Sequence, residues 1–220
     1  MMPLKKMLLS AALLGLFATL GTALVAYTYE YTHERIAQNE RDALLRSLHA
    51  IIPSSRHDND PVADSIEISD ATWLGSNKPQ QVYRARQQGK PVALALTAVA
   101  PDGYSDDIKL LIGINYDGTL AGVRVTAHAE TPGLGDKIDE ARSDWIHGFA
   151  DRSLSNTTAK QWQVKKDGGV FDQFTGATVT PRAIVKAVRK ALEYYQQHRD
   201  ELFEAGEPPV QETGQETGHG

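Results

Sequence analysis

The first thirty residues are dominated by one uninterrupted apolar run. It extends from Met7 to Tyr27 without a charged residue, and Lys5 and Lys6 precede it. As a helix with a rise of 1.5 Å per residue, the run would be roughly 30 Å long, the thickness of a bilayer's hydrocarbon core. Tyrosines at positions 27, 29 and 31 stand where an interfacial aromatic belt would lie. The pattern predicts a transmembrane helix over residues 7–27.

Charge flanking this run predicts its orientation. Basic residues beside a span favour the cytoplasmic side, so residues 1–6 should be cytoplasmic and the remainder should lie outside the cytoplasm. A cleaved signal peptide is the alternative. The run is long for that role, and Ala23-Leu24-Val25-Ala26 matches a cleavage site only imperfectly, so we favour an uncleaved anchor.

A second helix is predicted directly after the anchor. Residues 32–52 carry a partial apolar stripe among charged and polar positions, and Pro53 ends it. A polar loop rich in turn-forming residues follows at 54–60. We therefore treat residues 28–80 as a juxtamembrane helix and connecting segment.

From Val82 onward the apolar period changes to that of strands. Four strands are predicted, and turn signals such as Gln88-Gly89 and Asp117-Gly118 separate them. The strands cover residues 82–86, 92–100, 108–114 and 120–126. Because the connections are short, they predict an antiparallel meander.

The clearest helix is predicted at 181–197, with Thr180 as its N-cap and Pro181 at its first position. Its continuous apolar face consists of Ala183, Ile184, Ala187, Val188, Ala191, Leu192 and Tyr195. Together these elements predict an α+β protein: an N-terminal transmembrane helix, then an antiparallel-sheet domain with packed helices at 81–203. Residues 204–220 contain almost nothing to bury and should be a disordered tail.

Composition narrows the function. The formal net charge is −5 and no basic patch with interleaved aromatic residues occurs, so we expect no nucleic-acid partner. The chain has no cysteine, which excludes thiolate nucleophiles, iron–sulfur ligation by thiolates and disulfides. No metal-ligand spacing stands out either. Electron transfer by this protein would require an organic cofactor.

Two segments are unusual enough to carry chemistry. In residues 172–178 small residues and hydroxyls precede a predicted helix, whose N-terminal N–H groups would favour a phosphate. An ordinary helix cap would look similar, and both interpretations stay open on local physics. In residues 128–135, Gly133 and Gly135 permit close approach of a flat ligand. His128 is more often a structural hydrogen-bonding residue, and no dinucleotide fingerprint is present.

Both segments resemble elements of one family. Asp172-Gln173-Phe174-Thr175-Gly176-Ala177-Thr178 matches the flavinylation motif D-x-x-[S/T]-G-A-[T/S] at every specified position. His128 through Gly135 resembles the H-x-E-T-P-G-L-G element of the same FMN-binding domain family. The wider chain resembles the G subunits of the Rnf (Rsx) ion-translocating electron transport complexes, which are related to the C subunit of the sodium-pumping NADH:quinone reductase. Residues 51–53, 108–114 and 162–169 strengthen this similarity, whereas Asp106 stands where a glycine is expected.

The resemblance implies roles for individual residues. Thr178 would carry FMN through a phosphoester, and an FAD:protein FMN transferase would recognise Asp172, Thr175, Gly176 and Ala177. The cofactor-binding residues would be those of the motif itself, Thr175, Gly176 and Ala177 beside Thr178, and those that line the flavin, Glu130, Thr131, Gly133 and Leu134. Lys166 is a conceivable further contact, although a solvated surface lysine is the commoner case.

The resemblance also implies a setting. The protein would be a single-pass component of the bacterial inner membrane with its FMN domain in the periplasm, relaying electrons between other subunits of the complex. Alone it should have no substrate turnover and no catalytic residue. Two alternatives are a redox-silent scaffold, which would not need an intact Thr-Gly-Ala-Thr sequence, and a stand-alone flavoprotein reductase, for which no nicotinamide-binding fingerprint is present.

Overall fold

The computed structural model describes residues 3–204. They form three α-helices: α1 (Pro3–Ile51), α2 (Ala71–Leu74) and α3 (Val179–Glu204). Five strands, β1 (Ser65–Ile68), β2 (Gln80–Gln87), β3 (Lys90–Ala100), β4 (Ile108–Asn115) and β5 (Leu120–Ala127), make one antiparallel sheet in the order β1-β2-β3-β4-β5. Short 3-10 helices lie at Ser54–Arg56, Asp136–Ile138, Asp144–Phe149 and Lys165–Asp167. The predicted α+β class is confirmed.

The chain divides into two compact units, Met1–Arg46 and Ser47–Gly220. The first unit consists of most of α1, which by length and composition can cross a membrane. Its apolar side chains are exposed, with Leu14 at 74% and Phe17 at 70%. Residues 28–31, between the two predicted helices, are helical as well, so α1 is one continuous helix. The tail predicted to be disordered lies, from residue 205 onward, outside the described residues.

All four predicted strands are present, each extended by up to two residues at either end. The β2–β3 turn has positive φ at both central residues, Gln88 (52°) and Gly89 (75°), as in the type I′ turns that suit tight hairpins. β1 and α2 were not predicted. β1 pairs with β2, and α2 begins after Asp70, whose Oδ1 accepts the N–H groups of Thr72 and Trp73. Elements of four residues are too short to show a period.

Helix α3 covers one face of the sheet. All seven predicted apolar residues of the helix are buried, and they share one core with alternate residues of β3 and β4, such as Leu94, Leu96, Leu110 and Ile112. The opposite face receives Ile51, the last residue of α1. A methyl group on Gly113 would lie 2.0 Å from Ile51 Cγ2, and one on Gly122 would lie 3.5 Å away. This cross-strand glycine pair leaves the space that Ile51 occupies.

Both ends of α3 differ from the prediction. The helix begins at Val179, so Thr180 is not its N-cap but a residue of its first turn, where its hydroxyl bonds to Glu130. The helix also continues beyond Gln197 to Glu204. The polar run at 196–201 favoured an earlier end, but Leu202 and Phe203 return to the core with 2% and 6% exposure.

Candidate functional site

The first candidate segment forms a tight turn after β5. The N–H groups of Leu134 and Gly135 both donate to the carbonyl of Thr131, at 3.1 and 3.0 Å. Gly133 has φ of 78°, a conformation that residues with a Cβ rarely adopt. Thr131, Gly133 and Leu134 are exposed. The turn therefore presents backbone and one apolar side chain, Leu134, to solvent.

The second candidate segment is a turn that leads into α3. Ala177 N–H donates to the carbonyl of Phe174 at 3.2 Å, and Gly176 between them has φ of 84°. Phe174 is buried against Trp145, whose ring centroid lies 5.2 Å away. Trp145 Nε1 also donates to the carbonyl of Asp172 at 2.8 Å. The buried aromatic contact holds the turn on its core-facing side, and Thr175 and Gly176 remain exposed to solvent.

The fold brings the two segments together although about forty residues separate them. A methyl group on Gly176 would lie 3.3 Å from Leu134 Cδ2, and one on Gly135 would lie 3.1 Å from Thr180 Oγ1. Leu134 thus contacts the second turn, and Gly135 packs against the first turn of α3. One site contains both predicted motifs.

Glu130 lies at the centre of this site. Its carboxylate is buried, with the residue 4% exposed. Oε1 accepts the N–H groups of Tyr104 and Ser105 at 2.9 and 3.2 Å, and Oε2 accepts the hydroxyl of Thr180 at 2.5 Å. The N–H of Glu130 donates to His128 Nδ1 at 3.1 Å. The glutamate joins three separate segments.

Thr178 immediately precedes Val179, the first residue of α3. It is half-buried, and its hydroxyl forms no hydrogen bond within residues 3–204. Unpaired N–H groups of a helix start favour an anion at this position. A hydroxyl here is accessible, uncommitted and next to donors suited to a phosphate. These features, with the small turn residues and exposed Leu134, fit FMN attached through its phosphate.

The remaining motif residues lie on the surface. Asp172 pairs with Lys165 at 2.6 Å, and both side chains are more than half exposed, so the pair contributes little to stability. Lys166 donates its backbone N–H to Gln173 Oε1 at 3.2 Å. Nearby, Arg182 donates two hydrogen bonds to Asp167, at 2.7 and 2.8 Å. That hydrogen bonding, followed by the positive charge of Arg182, holds the pKa of Asp167 below its usual value.

Cavity size does not identify this site. An open groove of about 470 Å³ runs along α3 and is lined by Trp162, Val164, Val185 and charged residues of the helix. A smaller cavity of about 190 Å³ lies beside Tyr116 and Tyr195. Neither is lined by Thr178 or by the 128–135 segment. The exposed residues of the two motif turns form a surface that faces solvent.

Four residues contribute to the site in ways that the sequence did not predict. Thr180 was assigned to capping, yet its hydroxyl serves Glu130. Tyr104 and Ser105 reach the site through backbone N–H groups, which any residue type supplies, so no side-chain pattern could indicate them. Trp145 supports the second turn from a 3-10 helix, Asp144–Phe149, that has no periodic signal. Gly103 is the one sequence feature that marks the turn of Tyr104 and Ser105 as unusual. A methyl group there would lie 2.0 Å from the carbonyl oxygen of Asp106, so the turn requires glycine.

Comparison with known proteins agrees with the two-part organisation. Residues 103–193 match the family model of the FMN-binding domain, and residues 1–51 match that of the RnfG N-terminal region.

Curated relatives match nearly the whole chain. The G subunit of the ion-translocating oxidoreductase complex of Shewanella loihica is 51% identical over 88% of this chain and 92% of its own length. The proteins of the same description from Pseudomonas aeruginosa and Vibrio cholerae are 49% and 48% identical, over 90% and 89% of this chain and 93% of their own lengths. The chain belongs to the family of G subunits of ion-translocating oxidoreductase complexes.

Proposed function

We propose that this protein carries FMN as a phosphoester on Thr178 and relays electrons between partner subunits of an ion-translocating oxidoreductase complex. One observation carries the proposal. Thr178 ends a complete flavinylation motif and lies half-buried, without a hydrogen bond in the described chain, directly before α3. When bound, FMN supplies the redox chemistry, and the protein supplies attachment, orientation and electrostatics.

The environment of Thr178 supports attachment by a separate enzyme. A threonine hydroxyl is a weak nucleophile and requires an activating base. Among residues 3–204, no histidine or carboxylate is hydrogen-bonded to this hydroxyl. An FAD:protein FMN transferase would supply the base. The threonine oxygen–phosphorus bond would form as the FAD pyrophosphate bond breaks, AMP would leave, and the hydroxyl proton would pass to the transferase.

The exposure of the motif fits recognition by such an enzyme. Asp172, Thr175 and Gly176 are exposed, and Ala177 and Thr178 are half-buried. Gly176 presents bare backbone at positive φ. An enzyme that reads Asp-x-x-Thr-Gly-Ala-Thr would therefore reach the specified positions without unfolding the domain.

The ring of the flavin would lie on the surface made by the first turn. Thr131 and Gly133 offer polar backbone and a hydroxyl, and Leu134 offers an apolar contact beside Gly176. A covalent bond would prevent loss of a ligand from this exposed surface.

The anchor gives the proposed setting. Helix α1 can cross a membrane, and the lysines before its apolar run favour a cytoplasmic N-terminus. We therefore propose a bacterial inner-membrane protein whose FMN domain, predicted at 81–203, faces the periplasm. Partner subunits in the membrane would deliver and accept the electrons.

The test is covalent flavin on the full chain, co-produced with the transferase and exported. On a denaturing gel under ultraviolet light, the wild type should fluoresce, and its mass should exceed the chain mass by one FMN less a water. Thr178→Ala should be dark and unmodified. Thr72→Ala, which removes an exposed hydroxyl of α2 outside the site, is the matched control and should stay fluorescent. Fluorescence that persists in Thr178→Ala would refute the attachment, and a dark wild type would favour a scaffold or a non-covalent binder.

A further inference from the structure

The carboxylate of Glu130 is fully engaged by the protein itself. Its two oxygens accept three hydrogen bonds, from Tyr104 N–H, Ser105 N–H and the Thr180 hydroxyl. Glu130 is 4% exposed and Thr180 is fully buried. Because the residue is buried, a ligand on the surface of the two turns meets its exposed neighbours rather than this carboxylate. Glu130 therefore differs from Thr131, Gly133 and Leu134, its exposed neighbours in the motif.

Two glycines enclose the carboxylate. A methyl group on Gly135 would lie 2.7 Å from Glu130 Oε2, and one on Gly103 would lie 3.1 Å from Oε1. Separations near 3 Å are tighter than ordinary van der Waals contact. Backbone thus packs closely against each oxygen.

Each segment that meets at Glu130 carries one exposed large apolar side chain. These are Tyr104 (71% exposed), Leu134 (41%) and Val179 (43%). In the described residues from 47 onward only Tyr116 (41%) is comparable, so three of four such side chains belong to segments tied to this one carboxylate. Exposed apolar side chains concentrated around a functional turn indicate a binding surface. An isoalloxazine ring, flat and largely apolar, has the chemistry that such a surface accepts.

We propose that Glu130 is a positioning residue: its carboxylate holds the segments of Tyr104, Leu134 and Val179 in the arrangement that orients the flavin ring. The ligand in this inference rests on the proposed function, whereas the carboxylate's role in ordering the segments does not. Glu130 acts through Tyr104, Ser105 and Thr180 and does not touch the flavin. Its role thus differs from the direct flavin contact that the family resemblance implied.

The first experiment needs no flavin. Hydrogen exchange of the full chain in detergent is measured by mass spectrometry on peptides that span residues 103–107. These peptides contain the two N–H groups that donate hydrogen bonds to Glu130. Glu130→Ala removes the acceptor, and exchange there should accelerate by about tenfold or more, the factor that loss of a buried hydrogen bond produces. Thr180→Val keeps the carboxylate and removes one donor, so it should accelerate exchange at the start of α3 by a smaller factor, and it provides a second variant if Glu130→Ala does not fold.

Conservative variants separate positioning from charge. In Glu130→Gln the amide oxygen can accept from Tyr104 and Ser105 while the amide nitrogen donates to Thr180 Oγ1, so exchange should stay within about twofold of the wild type. Thr180→Ser should also behave as the wild type. Unchanged exchange at 103–107 in Glu130→Ala would overturn the positioning role.

The second experiment uses covalently flavinylated protein. Glu130→Ala and Thr180→Val should keep the flavin on Thr178 but lower its fluorescence anisotropy and its visible circular dichroism, because the ring loses its fixed orientation. Glu130→Gln and Thr180→Ser should retain both signals. Equal loss in Glu130→Gln and Glu130→Ala, with exchange normal in Glu130→Gln, would instead assign Glu130 as a charged flavin contact. A wild type without covalent flavin would refute only the proposed function, since the exchange experiment still decides the role of Glu130.

Discussion

Two buried carboxylates hold opposite ends of α3, and they do so by different means. Asp64, 8% exposed, lies near the C-terminal end, and Glu130, 4% exposed, lies at the N-terminal end. Asp64 is surrounded by positive charge, whereas Glu130 accepts only neutral donors. This difference separates a cluster that stabilises the fold from one that arranges a functional surface.

The Asp64 cluster neutralises its own charge. Arg84, 1% exposed, pairs with Asp64 Oδ1, and Arg86 Nε donates to Oδ2 at 2.8 Å. Arg86 Nη2 also donates to the carbonyl of Phe203 at 2.7 Å, one of the carbonyls at the helix end that have no partner within the helix. Strand β2 is thereby joined to the C-terminal end of α3.

The Glu130 cluster has no cation among its hydrogen-bond donors. Two backbone N–H groups and one hydroxyl satisfy the carboxylate, and the field of a helix N-terminus favours a negative charge nearby. Neutral donors fix the orientation of the carboxylate but do not cancel its negative charge as a cation would. A carboxylate held in this way fixes geometry and also contributes a negative potential beside the proposed flavin.

Replacing each carboxylate by its amide tests the contrast, and the largest effect is expected at Asp64. Asp64→Asn removes the anion that faces the buried guanidinium of Arg84, and breaking a buried ion pair from one side costs about 3–5 kcal/mol. Denaturation of the full chain in detergent, followed by tryptophan fluorescence, would measure the loss in free energy of unfolding. A loss of less than about 1 kcal/mol, the size typical of a surface pair, would contradict the assignment of this cluster to stability.

Gly135→Ala should give the next largest effect. Its methyl group would meet Glu130 Oε2 at 2.7 Å, and overpacking of this kind costs about 1–3 kcal/mol. Gly148→Ala is the matched control, because a methyl group there meets nothing within 4 Å, and its free energy of unfolding should equal that of the wild type. If both variants were equally stable, the close packing around Glu130 would not be required.

Glu130→Gln should lower the free energy of unfolding less still, by at most about 1 kcal/mol. The amide can bond to the same three partners, with the bond to Thr180 reversed in direction, and it leaves no buried cation unpaired. The same denaturation measurement compares it directly with Asp64→Asn. Losses of equal size at the two positions would abolish the distinction between them. The distinction would be strengthened if Glu130→Gln raised the midpoint potential of the flavin without changing the free energy of unfolding. Removal of a negative charge near the flavin makes its reduction easier.

The contrast also explains what the sequence could predict. The strands, the apolar face of α3 and both motifs follow from periods and local signatures, and the structure contains them. The meeting of Glu130 with Thr180, Tyr104 and Ser105 does not follow, since two of the three donors are backbone groups at a distance of 25 or 26 residues and the third looked like a cap. The burial of Arg84 does not follow from the strand pattern either, because its partner Asp64 lies 20 residues away in the sequence.

A third carboxylate, Asp167, shows how little a carboxylate contributes to stability when its ion pair is exposed. It pairs with Arg182 at 2.7 Å near the same end of α3 as Glu130, but the pair is exposed to solvent and salt. Hydrogen bonding from Arg182 lowers the pKa of Asp167, so any stability from the pair is present above the unfolded-state pKa of about 3.9 and is lost as the pH falls through the lower folded-state value. Asp167→Asn should shift the denaturation midpoint slightly at pH 7 and low salt, and not at all in high salt. If Asp167→Asn lowered the free energy of unfolding nearly as much as Asp64→Asn, burial would not determine how much each carboxylate contributes to stability.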